Sequence, residues 1–186
     1  LKNCHLNVFI LNSQIVIMAF FYRIPEYPEH VCSGSILTRL FDGLGFRFYW
    51  ATEGLSEKEY NFRPSEDCMS IGELISHIWG LVNWINISFN NLGFHRPEEP
   101  GKIIDQTLEI IQNLREATLD MKKGEVTKIK IRDYPFWHII NGPLADALTH
   151  VGQINSFRRL AGKPVSKANV FTGIPPTNAD KEKLSS

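Results

Sequence analysis

The spacing of apolar residues along the chain predicts four long amphipathic helices. Apolar positions recur three and four residues apart after "CSGS", after "SIGE", between about 102 and 121, and after "NGP". This period places them on one face of a helix with 3.6 residues per turn. The four stripes are Leu37, Leu40, Phe41, Leu44, Phe48, Ala51 and Leu55; Ile71, Leu74, Ile78, Leu81 and Ile85; Ile104, Leu108, Ile111, Leu114 and Thr118; and Leu144, Ala147, Val151, Ile154 and Arg158.

Polar residues mark where these helices begin and end. Ser70 and Glu73 have the spacing of a capping box at the start of the second helix. Asn141 is the predicted N-cap of the fourth helix, with Pro143 tolerated in its first turn. The connector "LSEKEYNF" contains a capping pattern for a one-turn helix, and "AGKP" is typical of a helix end.

The segment "EVTKIKIRD", between the third and fourth helices, alternates apolar and charged residues. Alternation of this kind favours one short strand or an extended crossover. The predicted fold is therefore all-α, a four-helix bundle with a long crossover before the fourth helix. Gly43 and Gly45 each disfavour the first helix by about 1 kcal/mol relative to alanine, so packing must support it.

Residues 18–164 are predicted to form this bundle, with a segment on either side. Two interpretations are open for residues 1–17: a spurious upstream extension, with Met18 as the true start, or an accessory element packed on the core. Residues 165–186 are predicted to be an irregular strap and a mobile tail. The apolar run from Ile15 to Tyr22 is much shorter than the roughly 20 residues of a spanning helix, so neither a membrane helix nor a signal peptide is predicted.

Charge and cysteine usage narrow the class of protein. The 186 residues contain 20 Lys and Arg and 20 Asp and Glu, so the formal net charge is zero. A balanced charge gives no indication of nucleic acid or an anionic membrane as a partner. The three cysteines are far apart in sequence, which is typical of a reducing compartment, and a cytoplasmic location is expected.

Asp146 and His150 are the first candidates for metal ligands. They lie four residues apart on the fourth helix, where side chains are neighbours. A carboxylate oxygen and an imidazole nitrogen can then both reach one ion at about 2.0–2.2 Å. His77 borders the apolar stripe of the second helix, and bundle cores build metal sites from groups on facing helices. Together the three predict a site for zinc, nickel, manganese or ferrous iron.

Simpler roles are open for each of these residues. Asp146 near a helix start stabilises the helix dipole without any ion. A histidine at an apolar edge is commonly a hydrogen-bonded core residue. Glu73 is either the capping partner of Ser70 or a group beside the metal, and His138, between aromatic residues, either lines a pocket or covers the core.

Two runs of sequence, "NFRPSEDCMSIGELISHIWG" and "DALTHVGQINSFRRLAGKP", together resemble the DinB-like superfamily. These four-helix bundles include bacterial thiol S-transferases, and the resemblance covers about residues 35–164. It implies a divalent metal between three histidines, of which His77 and His150 match two. Asp146 stands where the family has the third, which implies either a preference for harder metals or a weak or empty site. Gln153 matches the family's "GQ" and would support a ligand or pack beside it.

The resemblance implies a metal-dependent thiol transferase or hydrolase that acts on a small molecule, and a homodimer. The alternative is a non-catalytic helical module for binding or dimerisation, with a vestigial or structural metal site. An enzyme needs an open coordination position and a cavity leading to it. A structural site would instead be closed by a fourth protein ligand, for which His138 is the candidate.

Overall fold

The computed structural model describes residues 20–26, 28–119, 121–122, 124–178 and 180. The chain is mostly helical, with one small two-stranded sheet. The helices are α1 (Ser33–Thr52), α2 (Glu57–Tyr60), α3 (Ile71–Asn90), α4 (Pro100–Leu119), α5 (Trp137–Ile139) and α6 (Ala145–Leu160), and the strands are β1 (Lys130–Ile131) and β2 (Tyr134–Pro135). The predicted extension at 1–17 and the end of the predicted tail, 181–186, lie outside the described residues. None of the described helices has both the length and the apolarity to cross a membrane.

The four long helices bury one shared apolar core. α1 and α3 each pack against both α4 and α6. The core is drawn from the predicted stripes and includes Phe41, Leu44, Phe48, Leu74, Ile78, Ile85, Leu108, Ile111, Leu114, Ala147, Val151 and Ile154. The helical periodicity therefore predicted the inward face of all four helices.

Both capping boxes predicted from sequence are present. The Ser70 hydroxyl accepts from the Glu73 amide at 3.1 Å, and the Glu73 carboxylate accepts from the Ser70 amide at 2.6 Å. Ser56 and Glu59 make the same reciprocal pair at the start of α2. The N-cap of α1 is Cys32, which the sequence did not single out, because a thiol is a weaker acceptor than a hydroxyl.

The predicted start of the fourth helix is wrong. The helical run begins earlier, at Trp137, and passes through a π-helical turn at Ile140–Leu144 before α6. It is broken at Gly142, whose φ of −95° and ψ of −106° are not helical. Pro143 explains the break, because it donates no hydrogen bond and disfavours helical geometry in the residue before it. Asn141 therefore lies inside this turn and is not an N-cap.

The crossover before the fourth helix contains more structure than one strand. Residues 126–128 form a 3₁₀ turn, and β1 pairs antiparallel with β2, so that Ile131 lies opposite Tyr134. Arg132, at the turn between them, has a φ of +55°. A short strand was one of the two alternatives open for this segment, whereas its pairing with β2 was not predicted. Because Ile131 is buried, the hairpin is anchored to the core beside α3.

The C-terminal end of α6 is held by a buried ion pair. The Arg158 guanidinium lies 3.1 Å from Glu59 Oε1, and both side chains are 7% exposed. It also donates to the carbonyl oxygens of Ala51 and Glu53 at 3.0 and 2.9 Å. These bonds join α6 to the end of α1 and to α2. Beyond α6, Ala168 and Val170 of the strap pack on a small cluster of Ile24, Phe46 and Trp50.

Candidate metal centre

The structure brings His77, Asp146 and His150 together between α3 and α6. Asp146 Oδ2 lies 3.2 Å from His77 Nε2, and Asp146 Oδ1 lies 3.2 Å from His150 Nε2. The two imidazole rings are nearly perpendicular, with centroids 4.7 Å apart. One ligand atom from each residue can be chosen so that all three lie within 4.8 Å of one another. The cluster could therefore hold one metal ion.

The spacing of these atoms fits coordination of a first-row divalent metal. Ligands at about 2.0–2.2 Å from a tetrahedral ion are about 3.3–3.6 Å from each other. The two nitrogen–oxygen distances of 3.2 Å are close to that separation, although they run to different oxygens of Asp146; one atom from each residue gives three atoms within 4.8 Å of one another. Two imidazoles with one carboxylate suit zinc, nickel, manganese or ferrous iron, so the donor set alone does not choose the metal.

A hydrogen bond from His150 to Gln153 sets which nitrogen of His150 can bind a cation. His150 Nδ1 lies 2.7 Å from Gln153 Oε1. A carbonyl oxygen only accepts, so Nδ1 carries the hydrogen, and a neutral imidazole then has its lone pair on Nε2. That nitrogen faces a carboxylate oxygen of Asp146. Two acceptors in contact need a proton or a metal ion between them, so either a protonated His150 or a bound ion satisfies this pair.

The exposure of the three side chains leaves one side of the centre open. His150 is 14% exposed, whereas His77 and Asp146 are 40% and 46% exposed. Among the residues that the structure describes, no fourth His, Cys, Asp or Glu joins the group. An ion held there would have positions accessible to water or a substrate.

Glu73 is engaged in capping and in an ion pair, apart from the three ligands. Its carboxylate accepts from the Ser70 amide and makes two hydrogen bonds with Arg63, at 2.9 and 3.0 Å. The hydrogen bond from the Ser70 backbone, followed by the positive charge of Arg63, lowers the pKa of Glu73. Glu73 shares a surface depression with His77. The lowered pKa and the hydrogen bonds to Ser70 and Arg63 make the Glu73 carboxylate a weak base.

A cavity of about 530 Å³ reaches the centre from the side of Asp146. His138 lies on its wall and stacks on Tyr134, with ring centroids 4.8 Å apart. Trp84 of α3 provides an apolar surface, and Thr149 is a polar group on α6. His138 is exposed in this wall and is not among the three grouped ligands.

Several residues of this cavity were not found by sequence reasoning. Tyr134, Asn141 and Thr149 are polar residues that line it, and Trp84 packs under Arg132 at 5.1 Å. The only local signal was the four-residue spacing of Tyr134 and His138. A spacing of four places two side chains on one face only where the chain is helical. Here the two residues lie in different elements, Tyr134 in β2 and His138 in α5.

Comparison of the chain with protein-family models, curated proteins and solved structures gave no match. The resemblance to the DinB-like superfamily therefore stays a prediction. It rests on the two sequence runs quoted above.

Proposed function

We propose that the protein binds one divalent metal ion through His77, Asp146 and His150 and acts on a small molecule held in the adjacent cavity. The reaction class that the DinB-like resemblance favours is thiol transfer to an electrophile or hydrolysis. The proposal also includes a four-helix bundle, which is supported by the packing of α1 and α3 on both α4 and α6. It further includes the homodimer that the resemblance implies. The observation that carries it is the grouping of three ligand atoms within 4.8 Å of one another.

Two features favour catalysis over a structural metal. A structural site is closed by four protein ligands, whereas a catalytic site has three and an open position. The described residues supply three. The cavity also ends on Asp146, so a bound molecule would lie beside the ion.

The chemistry divides between the ion and the protein. A divalent ion supplies a positive charge that lowers the pKa of a thiol or of water, so that a nucleophile exists near neutral pH. Gln153 holds His150 in the tautomer that leaves Nε2 free. Trp84 and Tyr134 give the cavity an aromatic wall, and His138 and Thr149 are polar lining residues that could hydrogen-bond to a substrate.

The test is metal content, measured by plasma mass spectrometry on untagged protein after reconstitution with zinc, nickel, manganese or ferrous iron. Wild type is expected to hold about one ion per chain. Asp146→Asn and His150→Ala are expected to lose it, because each removes one of three ligands. His95→Ala is the matched control, since it removes an exposed imidazole outside the centre and should leave the metal in place.

His138→Ala separates binding from turnover. It is expected to retain the metal and to lose activity toward thiol or ester substrates, because His138 lies on the cavity wall outside the ligand group. Thermal unfolding of every variant is the control that tests whether its fold is intact. Wild type without metal after all four reconstitutions would refute the metal site, and equal metal in wild type and Asp146→Asn would refute Asp146 as a ligand.

A further inference from the structure

A second cavity, of about 360 Å³, lies between α1, α6 and the strap. It is lined at the C-terminal half of α6 by Asn155 and Arg159, whereas Asp146 lies in the first turn of that helix. The 9 to 13 residues between them correspond to about 14–20 Å along the helix axis. This cavity is therefore separate from the metal centre.

Three cationic side chains from three elements line this cavity without an anionic partner. Arg47 comes from α1, Arg159 from α6 and Lys167 from the strap. No ion pair joins any of them to another residue in the described ranges, and the described residues that line the cavity include no Asp or Glu. Like charges that share a cavity repel one another, and a bound anion reverses that cost.

We propose that this cavity binds the phosphate group of a small organic molecule. The phosphate dianion pairs with Arg47, Arg159 and Lys167, since guanidinium groups bind phosphate through paired N–H donors. A volume of about 360 Å³ exceeds what an inorganic ion needs and lies within the usual range for small-molecule sites.

The test is calorimetric titration of the full chain with ribose 5-phosphate at fixed ionic strength, since salt screens exposed charges. Binding is expected for ribose 5-phosphate and not for ribose. Arg47→Gln and Arg159→Gln are each expected to weaken it about tenfold or more, because each loses a charge-assisted hydrogen bond. Lys163→Gln removes an exposed cation that does not line the cavity, so its affinity should equal that of wild type.

One further measurement locates the bound molecule. Asp146→Asn should bind ribose 5-phosphate as wild type does, because the metal centre is a different site. The proposal is overturned if wild type does not bind, if the two arginine variants bind as wild type does, or if only phosphatidic acid vesicles bind, which would indicate a lipid headgroup.

Discussion

Removal of the Gln153 side chain should weaken metal binding although Gln153 is not a ligand. Gln153 accepts the Nδ1 hydrogen of His150 at 2.7 Å, which keeps the Nε2 lone pair directed at the metal position. In Gln153→Ala the imidazole can rotate or adopt the other tautomer. In part of the population, the ring nitrogen that faces the ion would then carry a hydrogen and could not bind it.

The size of the effect follows from the exposure of this hydrogen bond. Groups that orient a metal-bound histidine typically contribute 10–100-fold to metal affinity. Gln153 is exposed on α6, so water can replace part of its contact. We therefore expect the lower end of that range, about tenfold, or roughly 1.4 kcal/mol. Gln153→Glu should raise affinity instead, since a carboxylate is a stronger acceptor for the same hydrogen.

The assay is competition for zinc with a fluorescent chelator of known affinity, at constant pH and ionic strength. Ser156→Ala is the matched control, because Ser156 is an exposed polar residue of α6 whose hydroxyl donates to the Gly152 carbonyl of the same helix. The order of affinity should be Gln153→Glu, then wild type together with Ser156→Ala, then Gln153→Ala. If Gln153→Ala binds zinc within twofold of wild type while His150→Ala does not bind, the orienting role is refuted.

Three further outcomes test the fold. Gly45→Ala should lower the free energy of unfolding in urea by about 1–3 kcal/mol, because its new methyl group would overlap the buried ring of Phe21. Gly43→Ala is the matched control: its methyl group meets nothing within 4 Å, so the free energy of unfolding should rise by up to about 1 kcal/mol. Arg158→Met should cost about 3–5 kcal/mol, since it leaves Glu59 buried without its cation, and adding Glu59→Gln should restore part of the loss. Burial acts to raise the pKa of Glu59, but its hydrogen bonds and the charge of Arg158 outweigh burial and lower it below 4.5. The stabilising effect of the ionised carboxylate is therefore complete above the unfolded-state pKa and is lost as pH falls through the folded-state pKa. The stability advantage of wild type over Glu59→Gln should accordingly shrink below about pH 4.5.

Features that depend on a few neighbouring residues were predictable. Ser70 and Glu73 form their capping box because both partners lie within one helical turn. The apolar stripes were predictable for a related reason, since burial of one helical face repeats at the helix period. The alignment of Asp146 with His150 on one face of α6 belongs to the same class.

Features that depend on competition between local signals were not predictable from the sequence. Asn141 and Pro143 have the composition of a helix start, yet the preceding residues, from Trp137, also form helix, and the result is a π-helical turn. Strand β2 has two residues, too few for any alternation to show. Its pairing with β1 depends on Ile131 being buried against α3.

The sequence by itself determined that the chain builds four amphipathic helices and that two of them carry polar residues at the edge of an apolar face. Only the tertiary structure decided that His77 meets Asp146, because 69 residues separate them and their contact depends on how α3 packs on α6. The same packing, with the hairpin and the Gly142 break, placed the cavity beside Asp146. Helical periodicity is a local property of the backbone, whereas a site shared by two helices exists only after apolar burial has fixed their relative position.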